Sequence, residues 1–118
     1  MVTQKPKIVA KDWGKEVWLV NNEQEDYCSK ILEINAGQKS SMHFHVIKHE
    51  TFYVQQGILL VGFYDLRTME RSEVEVRAGE SLEINRMQAH QLIAKDKNVV
   101  LLEISTFHRD EDSYRVFR

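Results

Sequence analysis

His43 and His45 stand two residues apart in the run Gly37-QKSSM-His43-Phe44-His45-VIKH-Glu50-TFYVQQ-Gly57. On an extended strand successive side chains alternate, so both imidazoles point to one side while Met42, Phe44 and Val46 take the other. Glu50 follows after a short turn. Two imidazoles and a carboxylate on one side of a β-scaffold supply three ligands to a divalent ion. Neutral imidazole with carboxylate suits a transition ion (Mn, Fe, Zn, Ni or Co) and is too nitrogen-rich for Ca or Mg. A further histidine closes the run Gly79-ESLEI-Asn85-Arg86-Met87-QA-His90. His90 sits just past a turn, placed to return to the same cavity as a fourth ligand. One or two positions then remain for water or substrate, which suits catalysis rather than a closed structural site.

The elements that must position these groups are short strands. Runs of four to eight apolar or β-branched residues recur, broken by Gly, Asn, Lys or Glu: Val17–Val20, Cys28–Asn35, His43–Val46, Thr51–Gln56, Ile58–Tyr64, Ser72–Arg77, Ser81–Ile84, His90–Ala94 and Val99–Ser105. Several alternate with period two; Val74 and Val76 share one face while Glu73, Glu75 and Arg77 take the other. No 3.6-residue period lasts three turns, and the best helical candidate is a short turn near His108–Ser113. The class is all-β, a sandwich, jelly roll or barrel.

The chain has 118 residues, 42% of them hydrophobic and 29% charged, which predicts one compact domain over residues 1–118. Sixteen Lys and Arg against eighteen Asp and Glu leave a net charge of −2, with no basic footprint for nucleic acid. The longest apolar stretch, Ile58–Tyr64, has only a strand's length, so no membrane partner is expected. The N-terminus scatters charge where a signal peptide needs an apolar run. Cys28 is the single cysteine, excluding an intramolecular disulfide, and the expected setting is the cytoplasm.

The spacing Gly37-x5-His43-x-His45-x4-Glu50-x6-Gly57 resembles the first motif of the cupin superfamily, with all five fixed positions matched. The second cupin motif is matched at Gly79 and His90, while Asn85 stands for its proline, Met87 for its glycine and Ala94 for its asparagine. The resemblance covers residues 37–94 and implies a cupin jelly-roll barrel, with His43, His45, Glu50 and His90 binding metal. Asp12-Trp13-Gly14-Lys15-Glu16, Ser41-Met42-His43-Phe44-His45 and Glu103-Ile104-Ser105-Thr106 with His108 and Glu111-Asp112 are similar to single-domain, type-2, mannose-6-phosphate-isomerase-like cupins. His43-Phe44-His45 with Lys48 and Glu50 also looks like the metal motif of cupin isomerases acting on lyxose. Both likenesses point to a sugar or sugar phosphate as substrate.

Other residues divide by their default. A bare His-x-His pair is ordinarily a surface accident; the spacing to Glu50 and both glycines makes it a metal motif. His49 and His108 match no motif position and are expected to be exposed. Gly37, Gly57 and Gly79 read as turns, not phosphate cradles. Trp13, Trp18, Phe44, Phe52, Phe63 and Tyr64 are expected in the core or a dimer interface rather than as sugar platforms. Cys28 reads as a buried, inert thiol. Lys39, Lys48 and Arg86 default to solvated loop charges; lining a cavity mouth, they would hold a phosphate or carboxylate. Glu103 lies opposite Val100, Leu102 and Ile104, and the alternation alone does not say which face enters the barrel.

Three functions follow from different classes. The leading one is a metal-dependent aldose–ketose isomerase, with Glu103 as the base and Lys48 orienting substrate oxygens. An Fe(II)-dependent dioxygenase on the same ligands is the second. A non-catalytic sugar- or metabolite-binding module is the third. A homodimer is expected, because an open jelly roll has edge strands to protect. The stretch before Trp13 or the tail Tyr114–Arg118 would supply an exchanged edge.

Overall fold

The computed structural model describes Met1–Arg118. Eleven strands divide between two antiparallel sheets. The first sheet holds, in spatial order, β1 (Lys7–Lys11), β2 (Gly14–Asn22), β3 (Tyr27–Ile34), β10 (Val99–Ser105), β5 (Glu50–Gln56) and β8 (Ser81–Ile84). The second holds β11 (Ser113–Phe117), β4 (Met42–His45), β9 (Ala89–Ile93), β6 (Ile58–Tyr64) and β7 (Arg71–Arg77). Their inner faces close a jelly-roll barrel, as the strand spacing predicts.

All nine anticipated strands form, and two further ones frame them. β1 is exposed at nearly every position and β11 at its first three, so neither shows the alternation that marks a half-buried strand. β1 pairs with β2, and β11 pairs with β4, each within the same chain. Both end segments thus serve as edges of their own barrel. The anticipated helical turn is a 3-10 turn over Asp110–Asp112.

The barrel interior changes character along its strands. Leu32 and Ile34 of β3 face Leu101 and Val99 of β10, and with Phe52, Val54, Leu59 and Val61 they build the apolar core. Two residues back, the same strands turn in Lys30 opposite Glu103, then Cys28 opposite Ser105. Glu103 therefore lies on the inward face. Gly57 turns β5 into β6 with φ +87, and a Cβ there would lie 2.6 Å from the Asn98 carbonyl oxygen, so only glycine fits.

Candidate metal centre

Two neighbouring strands deliver three imidazoles to one point. His43 and His45 project from the same side of β4, and His90 on β9 lies directly across from His43. One ring nitrogen of each lies within 4.8 Å of the others. Glu50, the first residue of β5, adds its carboxylate: Oε2 stands 3.0 Å from His90 Nε2 and 3.5 Å from His45 Nε2. Both His45 and Glu50 are buried, and His90 is 1% exposed beneath them.

The outer nitrogens set the tautomers. Nδ1 of His43 meets the Ser41 carbonyl at 2.9 Å, Nδ1 of His45 the Asp112 carbonyl at 3.0 Å, and Nδ1 of His90 the Gln88 carbonyl at 2.8 Å. A carbonyl only accepts, so each Nδ1 carries the proton and each Nε2 turns a lone pair inward. Nε2 of His90 and Oε2 of Glu50 are buried without a hydrogen bond. Only a positive charge between them, a proton or a metal ion, satisfies both atoms. The donor set fits a divalent transition ion.

Electrostatics agree. Burial pushes His43 down to about 3, with His90 adding to it, so this imidazole is neutral near pH 7 and free to donate its lone pair. Burial lowers His45 as well, against the pull of Glu50. Burial alone would raise Glu50, but His90, Lys48 and His45 together hold it below the usual carboxylate range. All are in the state a metal requires.

A buried polar network supports the ligands. Asp112 accepts backbone N–H groups of Val46 at 2.9 Å, Ile47 at 3.1 Å and Lys48 at 2.9 Å, clamping the turn between β4 and β5. Burial would raise its pKa, and these donors bring it net below the ordinary value. Lys48 sends its ammonium to Glu103 Oε2 at 2.8 Å and His108 Nδ1 at 3.1 Å, with Glu50 Oε1 at 3.6 Å. Burial works against that charge, but Glu103 and Glu50 outweigh it and raise the Lys48 pKa.

These groups line one cavity of about 750 Å³, which takes in His43, His45, Lys48, Glu50 and Glu103. The site residues read from the sequence therefore converge. Several neighbours depart from their defaults. The side chain of His108 is only 11% exposed and lines this cavity, drawn in by Lys48 on one side and Asp110 at 2.9 Å on the other. Lys39 lines the mouth, whereas Arg86 turns away and donates to the Ile47 carbonyl at 2.6 Å. Trp13 and Trp18 line the cavity, while Phe52 is core and Phe63 packs against it. Phe44 stacks on Tyr114, and Tyr64 meets Phe117 edge-on. His49 pairs with Glu83 at 2.7 Å. Cys28 is buried as expected, its pKa raised by burial and Glu103.

The second cupin motif has its difference explained. Met87, standing where the motif has glycine, holds φ +68, and its N–H donates to the His45 carbonyl at 2.7 Å. The left-handed residue of this turn is Met87, and it joins the His90 turn to β4. Lys30 and Asp112 are contributors that sequence reasoning missed. The only signal for Lys30 was a charge at an inward position of an otherwise apolar alternation.

No protein-family model and no curated protein matches this chain. Solved structures do. The capsular polysaccharide assembling protein CapF from Staphylococcus aureus is 17% identical over 98% of this chain and 35% of its own, with a TM-score of 0.85. Lactobacillus farciminis oxalate decarboxylase in its formate complex is 19% identical over 94% and 33%, with a TM-score of 0.76. A Bacillus subtilis oxalate decarboxylase structure, described for its Mn(II) centres, is 18% identical over 96% and 30%, also at 0.76. At such identities the likeness shows the fold, which is the cupin jelly roll. The chain spans about a third of the length of these proteins. No helix is long and apolar enough to cross a membrane.

Proposed function

We propose that this protein is a metal-binding cupin that isomerises a sugar or sugar phosphate between its aldose and ketose forms. The observation that carries the reading is the buried Glu103 carboxylate, gripped by Lys48 on the wall of the cavity that holds the imidazole cluster. A divalent ion on His43, His45, His90 and Glu50 would polarise the substrate carbonyl and make the neighbouring C–H acidic. Glu103 takes that proton and returns it to the adjacent carbon. Lys48 holds Glu103 in one orientation, with two of its three donors on Glu103 and His108 and the third free to orient substrate oxygens. Glu50 is a ligand and not the base, since it stands among the imidazoles and its oxygens would be committed to the ion.

The test has two stages. Elemental mass spectrometry of untagged protein should find near one metal per chain. Aldoses and their phosphates, incubated with the loaded protein in D2O, should then gain deuterium at C2. A product formed without any deuterium sinks the enediol route.

A homodimer belongs to the same proposal. Val17, Ile31, Leu102 and Tyr53 form one row across four strands on the outer face of the six-stranded sheet, with Leu19 and Ile104 exposed beside it. A second copy is the partner that would cover this row. Sedimentation showing a monomer at every concentration would overturn it.

A further inference from the structure

Two lysines are buried in the wall of this one cavity, and they are treated differently. Lys48 is held by Glu103 and His108 at hydrogen-bond distance. Lys30 is 2% exposed and has no such partner. Its nearest carboxylate oxygen, Glu16 Oε1, is 3.7 Å away, beyond hydrogen-bond reach, and already accepts Trp18 Nε1–H at 2.8 Å. The ammonium instead lies over the Trp18 ring, 3.9 Å from its centroid, while Lys7 covers that ring at 5.0 Å. Trp18 is thus occupied by cations and positions Glu16; it is no stacking platform.

An ammonium has three donors, and burying it without acceptors costs stability. Burial lowers the Lys30 pKa even with Glu103 and Glu16 pulling it upward. Nothing in the protein supplies the missing hydrogen bonds, and the donors border the cavity.

Resting on the isomerase reading, we propose that Lys30 and Glu16 are a second binding position in the cavity, a donor and acceptor that together read adjacent hydroxyl groups of a neutral sugar. A hydroxyl accepts from Lys30, and its neighbour donates to Glu16. A phosphate would meet the Glu16 carboxylate beside Lys30 and Glu103 across from it in the ladder. A site built to hydrogen-bond hydroxyls discriminates strongly against ligands that lack them.

The experiment uses the full chain loaded with Mn(II), titrated calorimetrically with D-lyxose and D-mannose, and separately with inorganic phosphate at matched ionic strength. Wild type is compared with Lys30→Met, Glu16→Gln and, as a control at an exposed lysine away from the cavity, Lys97→Met. The expected result is saturable binding of a neutral sugar, weakened tenfold or more by Lys30→Met and by Glu16→Gln and unchanged by Lys97→Met. The ligand-free Tm of Lys30→Met should equal or exceed that of wild type, because an under-partnered buried charge is replaced by an apolar side chain of similar shape. Glu16→Gln keeps the test open should Lys30→Met not fold. Equal sugar binding by the variants, no binding of either sugar, or Lys30-dependent binding of phosphate alone overturns the proposal. Metal content is read on the same samples. Sugar binding that needs Lys30 in a chain that takes up no metal would retain this position while ending the isomerase reading.

Discussion

The two ends of the barrel are built from the same strands and do opposite things. At one end the β3–β10 ladder turns in Leu32 and Ile34 against Leu101 and Val99; one inward step further it turns in Lys30 against Glu103. Backbone pairing is continuous through both. Each apolar side chain buried at the first end contributes about 1.5–3 kcal/mol. At the second end the buried groups are ammonium, carboxylate and imidazole, whose desolvation opposes folding unless each finds a partner. One end stabilises the barrel, and the stability it supplies lets the other keep groups whose partners are incomplete.

The contrast is sharpest for truncation. Leu101→Ala, at a position with no exposure, should lower unfolding stability by about 3 kcal/mol in a urea titration. The folded fraction should still bind metal with unchanged stoichiometry. Loss of metal in parallel with stability would mean that the two ends are not separable.

His45→Ala is the converse. Metal affinity should fall at least 100-fold, about 2.7 kcal/mol, in a chelator competition. Stability of the metal-free form should move by no more than about 1 kcal/mol. A large loss there would make His45 a structural residue.

Acid acts on the polar end before the apolar one. His43 is held at about 3 in the folded chain against its ordinary 6.5, so between those values the unfolded state binds the extra proton. Its contribution is fully present above pH 6.5 and is lost as pH falls towards 3, at up to about 1.4 kcal/mol per pH unit. His45 and His108 are lowered in the same direction. Denaturation midpoints of metal-free protein should therefore decline from pH 7 to 5, and a flat profile would contradict the buried neutral imidazoles.

The smallest effect belongs to the turn that carries His90. Met87 sits in the left-handed region, which costs a non-glycine residue about 1 kcal/mol. Met87→Gly should raise the thermal midpoint by the equivalent of ~1 kcal/mol or less, with metal stoichiometry kept. A fall in stability would show that the Met87 side chain outweighs the strain.

Much of this was legible before any coordinates. Period-two patterning marks several of the nine strands because each of these has one face in the core and one outside, whereas β9 is buried on both. The His43–His45 pair declares a shared side for the same reason, and Glu50 and His90 follow from motif spacing. What escaped was set by distant neighbours. β1 and β11 lack alternation because they are edges. His108 reads as a surface histidine until Lys48, sixty positions away in the chain, accepts it as a partner.

The sequence by itself determined the all-β class, the strands that line the core and the groups proposed to hold a metal, because alternation and spacing are local properties of the chain. Only the tertiary structure decided that Glu103 faces inward, that Lys48 grips it and that Lys30 is left without a hydrogen bond. Those outcomes depend on β3, β5 and β10 lying side by side at one register, and register is a relation between segments that no single segment encodes.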